Sequence, residues 1–178
     1  MTWTTPRVWA VGETVTAANF NTYVSNNLTE IVSPPYAYLS STLTTTLTTA
    51  GTYYAQSWDT QIANVGSMHS TSTNPTRITA SQAGTYHIDA TIAMAQQAAV
   101  TYFQMALFVN GAQMAQSAPA IYIPTTPTAN YGLTLARYVP LAATDYVEIK
   151  LRCGTNALVT VSASGGNRPI CQMRWVGP

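Results

Sequence analysis

Residues 83–94 read Ala-Gly-Thr-Tyr-His-Ile-Asp-Ala-Thr-Ile-Ala-Met, and their alternation decides the fold class. Tyr86, Ile88, Ala90, Ile92 and Met94 occupy every second position, with His87, Asp89, Thr91 and Ala93 between them. Successive side chains of a strand point to opposite faces. The pattern therefore predicts a strand with one face in a core and His87 and Asp89 outward. Ala83-Gly84 punctuates its start, and Asn74-Pro75 marks a turn upstream.

The same period recurs downstream. Phe103, Met105, Leu107 and Val109 share a face and run into Asn110-Gly111, a hairpin signal. Val147, Ile149 and Leu151 point inward, and Glu148, Lys150 and Arg152 form an outward charged ladder. "ALVTVSASGGN" and "RPICQMRWVG" supply the last two strands. About eight to ten short strands with no second helix predict an all-β antiparallel fold, closed or in two sheets.

The beginning of the chain reads differently. After an extended opening with Trp3 and Trp9, Thr16 caps a helix along which Ala17, Phe20, Val24, Leu28 and Ile31 form one apolar face. Pro34-Pro35 ends it. A helix of about four turns is marginal alone and needs a partner surface. The Thr-rich stretch 36–52 has Leu39, Leu43 and Leu47 four apart, but its Thr residues favour extended chain, so it reads as a linker running into a first strand. The expected domains are thus 1–35, 36–52 and 53–178.

Composition narrows the function classes. Hydrophobic residues make up 47% of the 178 and charged residues 7%, against roughly 25% charged in an average soluble domain. A net charge of +1 without a Lys/Arg run argues against nucleic acid. So few surface charges favour association with other subunits. "MTWTTPRVWAVGE" reads as no signal peptide, and no apolar run has the length of a membrane span. Cys153 and Cys171, two cysteines far apart in sequence, read as buried free thiols.

His69 and His87 are the only histidines. They could begin a metal site, but no third ligand stands at a fitting spacing. No nucleophile elbow or paired carboxylates accompany them, so no catalytic residue, metal or cofactor is expected. Tyr36, Tyr38, Tyr53 and Tyr54 suit either sugar stacking or subunit contacts.

Two resemblances rest on particular residues. Asn74-Pro75-Thr76-Arg77-Ile78, Ala83-Gly84-Thr85-Tyr86-His87-Ile88, Phe108-Val109-Asn110-Gly111 and Thr144-Asp145-Tyr146-Val147-Glu148-Ile149 occur in the order and spacing of the C1q/TNF-like jelly roll, which residues 53–178 resemble. "TWTTPRVWAVGETVTAANFNTYVSNNL" resembles the opening of many bacteriophage virion proteins from tail and head-fibre genes. Together they imply a non-enzymatic virion protein, assembled in the host cytoplasm as a homotrimer. Residues 1–35, through Trp3, Trp9, Phe20, Val24, Leu28 and Ile31, would attach it to the major capsid protein or another virion protein. Tyr102, Phe108 and Tyr146 would form the trimer interface. A capsid decoration protein is the first expectation; a tail fibre or tail-tip protein binding host surface glycans is the alternative.

Overall fold

The computed structural model describes residues 3–94, 101–122, 131–154, 159–160 and 168–178. A helical segment opens the chain: α1 (Ala17–Phe20), a π-helical turn (Asn21–Ser25) and α2 (Asn26–Val32). The strands follow as β1 (Tyr36–Ser40), β2 (Thr46–Leu47), β3 (Tyr54–Ala55), β4 (Thr60–Val65), β5 (Ile78–Thr79), β6 (Gly84–Met94) and β7 (Tyr102–Val109). After these come β8 (Ala112–Gln113), β9 (Ala120–Tyr122), β10 (Tyr131–Leu141), β11 (Tyr146–Cys153), β12 (Val159–Thr160) and β13 (Ile170–Gly177).

The strands form two main antiparallel sheets. One is five-stranded, in the order β10-β6-β13-β1-β4. The other runs β3-β11-β7-β8, with β5 also on β11 and β9 also on β7. The short pair β2–β12 stands apart from both. The chain crosses between the two main sheets at every step from β3 to β7, and again between β9 and β10 and between β10 and β11.

The alternation of residues 85–94 forms β6 with the predicted faces. Tyr86, Ile88, Ala90 and Ile92 are fully buried. The Met94 side chain lies outside the described residues, as do residues 157–158 and 161–167 of the expected strand near 157–167. Phe103, Met105 and Leu107 of β7 and Val147, Ile149 and Leu151 of β11 meet Leu39, Tyr86, Ile88, Met173 and Trp175 of the five-stranded sheet in one core cluster. One core shared by two inner faces is what makes the molecule an all-β sandwich.

Local chemistry explains the connections. Asn110 and Gly111 both have positive φ, 49° and 82°, the conformation of a type I′ turn between β7 and β8. At Gly84 φ is +144°, and a Cβ there would lie 2.2 Å from Trp175 Nε1 and 2.4 Å from the Gly177 carbonyl oxygen. Only glycine lets β6 begin so close to the end of β13.

Two expectations need correction. Residues 36–52 are not a linker. Tyr36–Ser40 is an inner strand of the five-stranded sheet, paired with β13 on one side and β4 on the other. The sandwich therefore begins at Tyr36 rather than near Tyr53. Leu39 and Leu47, whose fourfold spacing looked helical, are both fully buried β positions, whereas Leu43 between them is exposed. The helical segment is also not one regular α-helix. Thr16 caps it as expected, its Oγ1 accepting from the Asn19 N–H at 3.2 Å, but the π-helical turn at Asn21–Ser25 breaks its period.

Candidate functional site

The helical segment presents the first candidate surface. Polar side chains hold it in place, Asn27 to the N-terminal arm and Glu30 to the sandwich. Asn27, 5% exposed, donates to the Thr4 carbonyl oxygen at 2.6 Å and accepts from the Thr4 N–H at 2.9 Å. Glu30, equally buried, accepts from Gln82 Nε2 at 3.2 Å, and Gln82 Oε1 accepts from the Trp3 N–H at 3.3 Å. The expected apolar face is turned away. Phe20, Leu28 and Ile31 are 51%, 57% and 60% exposed, and Val24, Val8, Val11 and Val32 are exposed as well. Polar groups inward and apolar groups outward invert the usual arrangement of a surface helix.

The six residues expected to attach the chain therefore separate. Phe20, Val24, Leu28 and Ile31 lie on the outward surface. Trp3 does not join them: it packs on the core, its ring 5.8 Å from that of Trp175. Trp9 folds onto its own segment, edge-on to Tyr23 at 6.1 Å with the Arg7 guanidinium 4.6 Å from its ring.

Tyr102, Phe108 and Tyr146, expected at the contact between copies, lie on β7 and β11 of the six-stranded sheet. The structure covers its outer face with the chain's own side chains. Phe108 is 9% exposed, with Tyr53 edge-on at 5.1 Å and Lys150 Nζ 4.5 Å above the ring. Arg77 lies 4.1 Å from the Tyr146 ring, and Arg152 lies 4.7 Å from that of Tyr53. Glu148 is buried among Thr76 Oγ1 at 2.9 Å, Lys150 Nζ at 3.1 Å and Arg77 Nε at 3.6 Å. Phe108 and Tyr146 are thus intramolecular cation–π partners rather than free anchors. Tyr102 is half-buried against Tyr122, ring to ring at 6.4 Å. The outward ladder of Glu148, Lys150 and Arg152 is present, but it is tied into this layer rather than solvated.

The outer face of the five-stranded sheet is the surface that sequence reading missed. Register places Tyr138, His87, Arg174, Tyr36 and Val65 in one row across the strands, with Asp89, Gln172 and Tyr38 in the row beside it. A cavity of about 430 Å³ opens there beneath Val32 and Pro34, lined by Tyr36, His87, Asp89 and Arg174. The Tyr36 hydroxyl donates to Gln172 Oε1 at 3.0 Å, and the His87 ring lies 4.8 Å from that of Tyr138. Burial raises the Asp89 carboxyl above its usual range, opposed by His87, whose Nδ1 is 3.9 Å from Oδ2. The Tyr36 hydroxyl is raised too, by burial first and then by Tyr38 and Asp89, with Arg174 opposing. Outward alternation in β6 was the only local signal for this face. Its other members come from strands distant in sequence.

The remaining candidates are apart from one another. His69 is buried in a loop, against Gln61, Asn64 and the Pro75 carbonyl, whereas His87 stands outward on the five-stranded sheet. Among the described residues no group of three or more His, Cys, Asp or Glu could hold a metal ion. Tyr36 and Tyr38 lie on one sheet and Tyr54 on the other, where it is tied to Thr48, so the four tyrosines make no single stacking platform. Cys153 and Cys171 are buried, not joined in a disulfide, and lie on strands of opposite sheets, and burial pushes the Cys171 thiol far above its ordinary value. No helix among the described residues is long and apolar enough to cross a membrane.

No family model matches the chain, and no curated protein matches it.

Proposed function

We propose that this chain is a non-enzymatic structural protein of a bacteriophage virion: a homotrimeric capsid decoration protein, of head-fibre or cement type, seated on the shell by its N-terminal segment. One observation carries the reading. The helical segment is held by Asn27 to the N-terminal arm and by Glu30 to the sandwich, and it leaves Phe20, Leu28 and Ile31 in solvent. A contiguous exposed apolar surface marks a place for a partner. The sequence resemblance of this segment to phage virion proteins gives the partner's class: the major capsid protein or another virion protein.

The sandwich supports the same reading. Two antiparallel sheets, with the first and last long strands side by side inside one of them, are compatible with a C1q/TNF-like jelly roll. A tail-tip protein binding host glycans is the competing reading, favoured by the cavity beside Tyr36. Electron microscopy of the virion separates head from tail.

The attachment test uses the pair Leu28→Ser and Ile31→Ser. Both side chains are more than half exposed, so the unfolding midpoint should move by no more than about 0.5 kcal/mol per site. Co-sedimentation with particles lacking the protein should fall at least tenfold. Wild-type occupancy by the double variant would place the attachment elsewhere.

A further inference from the structure

We infer that Asn110 is a covalent modification site held shut by the fold: a deamidation site whose side-chain amide is clasped by Asp145 and Tyr146, so that it converts to a carboxylate only when the clasp opens. The inference stands apart from the virion reading and does not depend on it.

Asn110 is the only asparagine of the chain that is followed by glycine. Asparagine is a thermolabile residue, and a glycine after it has no Cβ to hinder approach to the amide. The reaction consumes only water. The Gly111 amide nitrogen forms a bond to Asn110 Cγ, the Cγ–Nδ2 bond breaks, and ammonia leaves with the proton of the attacking nitrogen. Water then adds to one carbonyl of the cyclic imide and opens it, leaving aspartate or isoaspartate at position 110.

Asn110 is exposed, so water reaches it. What restrains it is geometry. Its Nδ2 donates to Asp145 Oδ1 at 2.7 Å, and its Oδ1 accepts from the Tyr146 N–H at 3.0 Å. The Asn110 backbone N–H donates to the Tyr146 carbonyl oxygen at 2.9 Å. Both ends of the amide are thus tied to the turn between β10 and β11, and closing the imide on Gly111 needs the amide turned out of both bonds. The bond to Asp145 is charge-assisted, the stronger kind. It is also the first cause that holds the Asp145 carboxyl below its ordinary value. Asp145 is itself fixed, its Oδ2 accepting from the Ala142 N–H at 2.8 Å.

Conversion reverses the contact. A carboxylate at position 110 has no proton to donate, so two like charges meet where a donor and an acceptor stood. The same turn carries Thr144 at a φ of 75°, a conformation rare for a β-branched residue. It also holds the end of β5, the Ala80 N–H donating to the Asp145 carbonyl oxygen at 2.7 Å. The change is one-way, so the tie between the two turns loosens with the age of the chain.

The test is peptide mass spectrometry of the full chain after incubation at mildly alkaline pH, folded and in urea. In urea Asn110 should convert faster than any other asparagine. In the folded wild type it should convert at least about a hundredfold more slowly, the weight of two side-chain hydrogen bonds. Asp145→Ala removes the charge-assisted one and should raise the folded rate about tenfold. If that variant does not fold, Asp145→Asn, which keeps an acceptor without the charge, takes its place and should still exceed the wild type. Asn110→Asp should melt below the wild type, and adding Asp145→Asn, which exchanges donor and acceptor, should restore the melt. Equal rates in the folded and unfolded wild type, a position 145 variant as slow as the wild type, or an Asn110→Asp chain that melts as the wild type does overturns the clasp. No conversion at position 110 in urea overturns the site itself.

Discussion

His69 sits inside a fixed set of neighbours. Gln61 Nε2 lies 3.1 Å from Nδ1, and Nε2 lies 3.2 Å from the Pro75 carbonyl oxygen. The neutral ring satisfies both, with Nε2–H donating to Pro75 and Nδ1 accepting from Gln61. Burial holds its pKa below the ordinary 6.5, and the Pro75 contact opposes the shift. Because the folded value is depressed, the unfolded chain binds more protons as pH falls below 6.5. Stability from His69 is therefore complete above that pH and declines as pH falls towards the folded value. Asp89 runs the other way: its folded pKa is raised above 3.8, so its contribution is lost as pH rises through that value. We expect the urea midpoint to fall between about pH 7 and pH 5, with a shallower fall in His69→Gln. Equal pH slopes in the variant and the wild type would remove His69 as the cause. Nothing local to "GSMHSTSTNP" foretold this environment; the sequence placed His69 in a turn but could not supply Gln61 and Asn64 around it.

At the scale of the element, the helical segment joins two roles that periodicity alone kept apart. Spacing gave Thr16 as the cap and Phe20, Val24, Leu28 and Ile31 as an apolar set. It could not give the direction of that set, because direction depends on which side chains find partners on the sandwich. Glu30 does, through Gln82, while Asn27 binds Thr4 of the N-terminal arm. The same contacts make residues 1–35 a support of the fold as well as its attachment segment. Trp3 covers Trp175, and the Trp175 N–H donates to the Pro35 carbonyl oxygen at 3.0 Å. Half-burying one tryptophan is worth about 1–2 kcal/mol. Deleting residues 1–35 should then lower the denaturant midpoint by at least that amount, beyond any loss of particle binding. Trp3→Ala should reproduce about half or more of the loss while leaving the outward apolar surface intact. An unchanged midpoint in both would mean that the segment rides on the sandwich without supporting it.

At the scale of the whole molecule, the strands legible from local alternation were β6, β7, β11 and β13, each long enough to show its period. Short strands such as β2, β3 and β5 have no period to show. The sheet order was not legible either, because β1 pairs with β13 across nearly the whole chain: Tyr36 lies opposite Arg174 and Ser40 opposite Ile170. That closure makes the last strand a structural requirement. β13 fills the place between β6 and β1 and brings Cys171, Met173 and Trp175 into the core. Without it, both neighbours keep an unpaired edge where the sheet should be continuous, and their bare backbone groups invite association. A fold dominated by such distant pairings should refold slowly, in roughly milliseconds to seconds. A chain ending at Arg168 should therefore lack a cooperative thermal transition and aggregate, even though β6, β7 and β11 are all present. Adding a peptide of residues 169–178 in trans should restore some cooperativity by strand addition. A sharp melt of the truncated chain alone would show that the six-stranded sheet and β6 hold the core without β13, and that the sandwich is built from a more local nucleus than its topology requires.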